Sequence, residues 1–369
     1  MSTTSDPIPD PTPQLAPQAC LNHSLTDHNT PHCTRCVDSC PAEAIHLSLD
    51  DRLPEIDPHR CSGCTGCVPV CPTDALRHAA ARPAAMVRDV MQMPTTSRHT
   101  LQVACSAVDG GDIAIDCHAG WSPLLLAALA AEGVAAIQLL GIDRCADCPK
   151  RFGATRLKII EAEYQTLNQA LGVKLSLIHS QPSDSRTADD TPANNPRNSE
   201  PARRAFFRQL LPSLVEGAAK ATGEITQAAR QAASSSSEQP RPTHSPLPVR
   251  LQLFLRALPK LQSNFTPLPA TPSLPLGAMQ ADAHCTACGG CVEACPTRAL
   301  ATRAFGANTI LEFQADRCIG CNRCIAICPE EALNALPGIS LPAILTGKAR
   351  PLIMVSTPEG ERNASSKGV

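Results

Sequence analysis

Twenty cysteines stand out in this 369-residue sequence, and most of them recur at one fixed spacing. The pattern C-x2-C-x2-C-x3-C-P occurs at residues 61–72, 285–296 and 318–329. A shorter version without the first cysteine covers residues 33–41. Each copy continues into a similar apolar tail that contains alanine. The cysteines between residues 20 and 71 and those between 285 and 328 therefore form an internal repeat.

This spacing has a chemical meaning. Three thiolates on one tight loop can hold three irons of a cubane cluster, and the fourth cysteine, followed by Pro, binds the other cluster of a pair. Small residues such as Gly63, Gly289 and Gly320 let the backbone wrap a cluster and direct N–H groups at its sulfurs. A pair of zinc sites is the alternative, but zinc favours two C-x2-C pairs that lie well apart. The spacing therefore predicts iron–sulfur clusters.

In these motifs the chain resembles, twice over, the bacterial ferredoxins that carry two [4Fe–4S] clusters. The resemblance implies the following ligand sets: Cys285, Cys288, Cys291 with Cys328; Cys318, Cys321, Cys324 with Cys295; Cys61, Cys64, Cys67 with Cys40; and Cys33, Cys36 with Cys71. Alternating residues at 45–49 and 53–56, and again at 299–303 and 309–313, predict the short strands of that fold. Because the apolar content is low, cluster binding is expected to supply part of the folding free energy.

The last of these sets lacks a fourth ligand, because position 30 is Thr30 where the repeat would have cysteine. Cys20 is the favoured candidate, since iron–sulfur clusters prefer soft thiolate to imidazole. A ligand from His23, His28 or His32, a three-iron cluster, an empty site and a free Cys20 in a flexible tail remain open alternatives.

Four more cysteines, Cys105, Cys117, Cys145 and Cys148, lie between the two repeats. Residues 101–105, 113–117, 135–140 and 174–178 are predicted strands, and helices are expected over 122–133 and 150–171, so this segment is interpreted as a small parallel α/β domain. If the strands are parallel, the four thiols converge at the carboxyl edge of the sheet. The short connection over residues 106–112 could instead form a hairpin and separate the first two thiols.

The middle segment resembles the delta subunit of methyl-viologen-reducing hydrogenases, an electron-transfer domain that carries a [2Fe–2S] cluster. The matching residues are 116–118, 133–148, Arg156 and the long helix that follows. The family has an additional C-x2-C pair upstream, and in that region this chain has only Cys105. The resemblance implies a [2Fe–2S] cluster on the four thiolates, with zinc or unligated thiols as alternatives. His118 is expected to make local hydrogen bonds, and Trp121 is expected to pack in the core.

The predicted fold class is therefore α+β: two bacterial ferredoxin-like modules, a small α/β domain between them, and disordered linkers. The predicted boundaries are a disordered tail at 1–18, a two-cluster module at 19–80, the hydrogenase-delta-like domain at 100–180, a linker with one or two helices (203–233 and 249–261) at 181–277, a second two-cluster module at 278–340, and a tail at 341–369.

Composition excludes several other classes. The net charge is −2, which gives no sign of a nucleic-acid partner. No run of about 20 apolar residues predicts a membrane span, and the first residues show no secretory pattern, so a reducing cytoplasm is the expected compartment. Neither G-x-G-x-x-G after a strand nor G-x-x-x-x-G-K-[ST] occurs, so no nucleotide cofactor is predicted.

Together these features predict a non-catalytic electron carrier with four [4Fe–4S] clusters and a [2Fe–2S] or zinc site in the middle. The expected partner is a redox protein, and the resemblances suggest a cytoplasmic oxidoreductase of the formate dehydrogenase, hydrogenase or heterodisulfide reductase type. The alternative is an accessory factor that delivers sulfur, metal or reducing power while a redox enzyme matures.

Overall fold

The computed structural model describes residues 12–23, 32–179, 247–261, 267–269 and 274–356. These residues belong to one compact unit of the chain. The helix predicted over 203–233 lies outside the described residues, and of the linker predicted at 181–277 only residues 247–261, 267–269 and 274–277 are described. Within the described part, no helix is both long enough and apolar enough to cross a bilayer.

The N-terminal module is built from very short elements. They are strand β1 (Gln14–Leu15), helix α1 (Arg35–Asp38) and strands β2 (Ile45–Leu47), β3 (Pro54–Ile56) and β4 (Leu76–Arg77). The predicted β2 and β3 pair antiparallel, and β1 pairs antiparallel with β4. The second pairing corrects the sequence analysis, which assigned residues 1–18 to a disordered tail: residues 14 and 15 are part of the module.

The middle segment contains two helices that the sequence analysis did not predict and then an α/β alternation. Its elements are α2 (Pro83–Gln92), α3 (Thr95–Arg98), β5 (Thr100–Ala104), β6 (Ile113–Ala114), α4 (Pro123–Ala131), β7 (Ala136–Leu140), α5 (Gly153–Leu171) and β8 (Ser176–His179). The strands form one sheet in the order β6-β5-β7-β8, and every pairing is parallel. The hairpin alternative for residues 106–112 is therefore wrong.

Local chemistry explains where the two main helices begin and end. The Ser122 side chain accepts a hydrogen bond from the Leu125 N–H and caps α4, and Pro123 follows at the first helical position. Almost every residue of α4 is buried, which suits a helix that is apolar on all sides. Helix α5 ends at Gly172, which adopts a left-handed conformation with φ +66°. Leu101, Val103, Ile137 and Leu139 pack beneath these helices as part of one core.

Helix α6 (Val249–Ala257) follows the undescribed segment and packs against the rest of the unit. Its Leu251 and Phe254 are fully buried. The N–H of Val249 donates a hydrogen bond of 2.6 Å to Asp74 Oδ2 in the N-terminal module. The predicted helix over 249–261 is thus present, and its last residues, 258–260, form a 3-10 turn.

The C-terminal module repeats the short-element plan and adds a sheet. Its elements, with the preceding strand β9 (Leu268–Pro269), are β10 (Met279–Ala281), α7 (Gly290–Glu293), β11 (Leu300–Phe305), β12 (Asn308–Phe313), α8 (Arg323–Ala326), β13 (Leu333–Ala335), β14 (Gly338–Ile339), α9 (Leu341–Thr346) and β15 (Arg350–Ser356). β15 pairs antiparallel with β12 in the sheet β11-β12-β15. The sequence analysis placed residues 341–369 in a tail, but residues 341–356 are an integral part of this module.

Candidate metal centres

Two groups of four cysteines in the C-terminal module each line a cavity of their own. Site 4 is the cavity lined by Cys285, Cys288, Cys291 and Cys328. Site 5 is the cavity lined by Cys295, Cys318, Cys321 and Cys324. Each cavity combines three cysteines of one motif with the last cysteine of the other motif. This is the exchange of ligands that the resemblance to two-cluster ferredoxins implies.

Site 1, in the N-terminal module, brings Cys20 together with Cys33, Cys36 and Cys71 around one cavity. The described residues that line this cavity include no histidine. Of the three histidines considered as alternative ligands, His23 is exposed, His28 lies outside the described residues, and His32 does not line the cavity, although its Nδ1 is buried without a hydrogen-bond partner among the described residues. The arrangement therefore favours a fourth thiolate from Cys20 over an imidazole.

A residue that the sequence analysis missed, Asn22, explains how Cys20 reaches this cavity. Its side chain is buried; its Oδ1 accepts from the Cys33 N–H at 2.8 Å, and its Nδ2 donates to the Cys33 carbonyl at 3.1 Å. Nδ2 also donates to the Arg52 carbonyl at 2.9 Å. Asn22 thus holds the segment that carries Cys20 against the loop that carries Cys33. The only signal in the sequence is an amide side chain two residues after an isolated cysteine.

Site 2 consists of Cys40, Cys61, Cys64 and Cys67. Burial raises the pKa of the Cys67 thiol well above its usual range, and the neighbouring thiols Cys64, Cys36, Cys40 and Cys61 raise it further. The thiols close enough to affect Cys67 are therefore the three ligands that the resemblance places with it and, in addition, Cys36 of site 1. Sites 1 and 2 are neighbours in the N-terminal module.

Site 3 lies at the carboxyl edge of the parallel sheet and consists of Cys105, Cys117, Cys145 and Cys148. Cys105 directly follows β5, and Cys145 follows β7 after one short turn. A Cβ atom added at Gly153 would lie 3.1 Å from Cys145 Sγ and 3.3 Å from Cys117 Sγ, so those two sulfurs face the same point. Burial raises the pKa of Cys145, and the nearby thiols Cys105 and Cys148 also raise it. All four thiols thus gather where the sequence predicts them.

His118 and Trp121 serve site 3 as structural residues. The Trp121 indole N–H donates to His118 Nδ1 at 3.2 Å, which leaves Nε2 of that ring to donate to the Leu140 carbonyl at 3.0 Å. Both ring nitrogens therefore already have partners, so His118 makes local hydrogen bonds, as expected. Trp121 is 2% exposed and packs in the core.

Backbone N–H groups donate to the last cysteine of three motifs. The N–H groups of Ala44, Ala75 and Ala299 donate to Cys40, Cys71 and Cys295 at 3.3, 3.2 and 3.2 Å, respectively. In every case the donor lies four residues after the sulfur. This geometry gives a physical reason for the repeated tail with its alanine, because such N–H groups stabilise thiolate charge and tune a bound cluster.

The burial of the thiols tests whether a cluster fits these sites. Burial, with smaller contributions from neighbouring thiols, raises the pKa of Cys20 to about 11, of Cys36 to about 12 and of Cys318 to about 12. Four buried thiolates in one place need the positive charge of a metal group to compensate them. The donor sets, the cavities and the N–H groups aimed at sulfur therefore fit iron–sulfur clusters. As they stand in the described residues, no three Cys, His, Asp or Glu side chains are placed to hold a single metal ion, so a zinc ion at any of these sites would require its thiols to move closer together.

The sites follow one another in space in an order that differs from their order in the chain. Cys324 of site 5 has Cys291 of site 4 among the neighbours that, after burial, raise its pKa. Burial raises the pKa of Cys117 of site 3 to about 12, and Cys64 of site 2 is among the thiols that add to this shift. Arg35 lies at site 1, and its charge reaches Cys321 of site 5. Together with the neighbouring sites 1 and 2 and the hydrogen bond from Arg35 to the Gly320 carbonyl, these electrostatic neighbours give the order 4-5-1-2-3.

The comparisons with known proteins cover the modules that carry sites 1, 2, 4 and 5 of this row, and no family match covers site 3. Residues 31–76 match a family model described as a 4Fe-4S dicluster domain, and residues 284–332 match a second model with the same description. Searches of curated proteins and of solved structures return no significant match. Two 4Fe-4S dicluster ferredoxin domains therefore flank the middle of the chain, and they indicate an iron–sulfur electron-transfer role.

Proposed function

We propose that this protein relays single electrons between redox partners through five thiolate sites. The observation that carries the proposal is the spatial row 4-5-1-2-3, in which each set of four cysteines neighbours the next. Bound iron–sulfur clusters would supply one-electron redox chemistry at each position. The ligands would be the four cysteines named for each site, including Cys20 at site 1, with [4Fe–4S] clusters at sites 1, 2, 4 and 5.

The middle domain would extend the relay by one step. Site 3 neighbours site 2 through Cys117 and Cys64, and its four thiolates suffice for a [2Fe–2S] cluster. The resemblance to the hydrogenase delta subunit supports this assignment, and zinc is the alternative metal. A zinc ion would end the relay at site 2, because zinc has no redox chemistry.

The two ends of the row suggest where electrons enter and leave. All twenty cysteines lie in the described residues, and Cys288 of site 4 is the one that is exposed. The partner would be an oxidoreductase of the formate dehydrogenase, hydrogenase or heterodisulfide reductase type, in the cytoplasm. The chain itself would transform no substrate.

Iron and acid-labile sulfide counts on the anaerobically purified full chain, with EPR spectra during stepwise reduction, test this proposal. We expect about 16 to 18 irons per chain and several signals from spin-coupled reduced clusters. Zinc in place of iron, or fewer than about 16 irons after complete reconstitution, would contradict it. Incubation with an apo-ferredoxin separates the accessory role, because an accessory factor would lose iron to the acceptor, whereas a relay would retain it.

A further inference from the structure

One arginine contacts the ligand loops of both modules. Arg35 stands between Cys33 and Cys36, and it is one of the residues that line site 1. Its Nη2 atom donates a hydrogen bond of 3.0 Å to the carbonyl oxygen of Gly320, 285 residues away. Gly320 lies in the loop of site 5, where its own N–H donates to the Cys318 sulfur. A single side chain therefore spans the junction between sites 1 and 5.

The charge of Arg35 acts on cysteines on both sides of this junction. The guanidinium belongs to the lining of site 1, and on the other side it hydrogen-bonds Gly320, the residue that directly precedes Cys321 of site 5. In the part of the chain that the structure describes, no carboxylate forms an ion pair with Arg35. Asp38, the acid on the same helix, instead accepts a hydrogen bond of 2.6 Å from Thr34. The positive charge of Arg35 is thus left for the two sites.

One nitrogen of Arg35 has no acceptor. Nη1 is buried and makes no hydrogen bond to the described residues. A buried guanidinium N–H without an acceptor is unfavourable, so such an atom in a native structure calls for an explanation. The sulfide and thiolate sulfurs of a bound cluster are suitable acceptors, because hydrogen bonds to cluster sulfur are a normal feature of such sites.

Resting on the relay function proposed above, we infer that Arg35 couples the two ferredoxin modules by raising the reduction potentials of sites 1 and 5 together. Reduction adds one negative charge to a site, and a nearby guanidinium stabilises the reduced form more than the oxidised form. The low dielectric of a partly buried junction strengthens this effect. Arg35 therefore makes the junction a favourable place for an electron that passes from one module to the other. It acts as a tuning residue and not as a ligand.

Potentials measured by EPR-monitored titration of the reconstituted full chain test this inference. Arg35→Gln removes the charge and keeps much of the side chain's length. We expect the one-electron reduction constants of two clusters to fall roughly tenfold, about 59 mV each, while the other clusters stay unchanged. Arg35→Lys keeps the charge and should leave both potentials near those of the wild type. Arg88→Gln is the matched control, because it removes an exposed arginine from α2 and should move no potential.

The outcomes separate this inference from the relay itself. A wild-type chain without clusters would overturn the relay. A full set of clusters in Arg35→Gln with no shift, a shift at one cluster only, or equal shifts at all of them would overturn the role of Arg35 alone. If the Arg35→Gln chain does not retain its iron, the number of irons lost per chain decides whether Arg35 serves both sites. Loss of about eight irons, the content of two cubanes, supports a shared arginine, and loss of about four contradicts it.

Discussion

The ammonium group of Lys150 binds the carboxylate of Asp116, which lies 34 residues earlier and directly precedes Cys117. Lys150 Nζ also donates to Ser106 Oγ at 3.2 Å, and the Ser106 hydroxyl donates to the Asp116 carbonyl at 2.9 Å. Ser106 follows Cys105, and Lys150 lies two residues after Cys148. This network therefore joins the three loops that carry the cysteines of site 3.

Replacing Lys150 with methionine should destabilise the middle domain measurably. The two side chains are 18% and 23% exposed, so the change leaves a partly buried carboxylate without its cation. We expect a loss of about 1 to 3 kcal/mol in the free energy of unfolding. The single tryptophan, Trp121, lies in this domain's core, so urea denaturation followed by its fluorescence reports on this domain.

The matched control for that change is Lys260→Met. Lys260 binds Glu132 at 2.6 Å; the Glu132 side chain is 14% exposed, but the lysine itself is 51% exposed. Water screens this half-exposed ammonium, and it lacks the additional hydrogen bond that Lys150 makes to Ser106, so Lys260→Met should lose less stability than Lys150→Met. Equal losses in the two variants would show that Lys150 does no more than an ordinary surface lysine.

Two glycines with similar backbone conformations should respond differently to alanine. Gly141 and Gly110 have φ values of +85° and +99°, so alanine at either position costs about 1 to 2 kcal/mol of backbone strain. A Cβ at 141 would also lie 2.8 Å from both Cys105 Sγ and Val108 Cγ2, so the Cys105 side chain and its loop would have to shift, whereas a Cβ at 110 would meet nothing within 4 Å. Gly141→Ala should therefore lose the metal of site 3, measured as metal per chain, and Gly110→Ala should retain it. Metal retained by both variants would show that Cys105 can move without harm or is not a ligand.

Cysteine spacing predicts most of the candidate sites, because a cubane restricts its ligands to a few positions on one tight loop. The parallel direction of the strands and the convergence of Cys105 and Cys145 follow from the alternation of helix and strand. The spacing does not predict the contact between Arg35 and Gly320, because no local pattern relates residues so far apart in the chain. Nor could it predict that β15 completes a sheet in the second module, since its pairing with β12 depends on tertiary packing.

Removing iron should unfold the N-terminal module before the middle domain. The hydrophobic core of that module contains only five buried residues among the described residues, and two of these are the cysteines Cys36 and Cys67. The middle domain has a larger core of its own, to which Leu101, Leu126 and Ile137 belong. Because metal binding supplies folding free energy where the apolar core is small, the module depends on its clusters.

Hydrogen exchange measured by mass spectrometry, before and after anaerobic chelation of the iron, tests this order. Amides of residues 44–57 should lose most of their protection, and those of α4 and β7 should keep theirs. The metal-loaded chain carried through the same buffers is the control. Simultaneous loss of protection in both regions would mean that the middle domain has no independent stability.

Cys20→Ser tests the one ligand of the row that the ferredoxin motifs do not contain. Cys20 lines site 1 together with Cys33, Cys36 and Cys71, so its loss should leave three thiolates. A site with three thiolates favours a three-iron cluster, and we expect about one iron fewer per chain together with a three-iron signal in the EPR spectrum of the oxidised protein.

His23→Ser is the control for that change, because it alters an exposed side chain in the same segment and leaves every thiol in place. The iron content and the spectrum of this variant should match those of the wild type. The reverse pattern, with iron lost from the His23 variant and kept by the Cys20 variant, would assign the fourth ligand to imidazole.

Asn22→Ala adds an independent check, since it removes the side-chain hydrogen bonds to the Cys33 backbone while keeping all twenty cysteines. We expect it to lower the occupancy of site 1 without altering the signals of the other clusters.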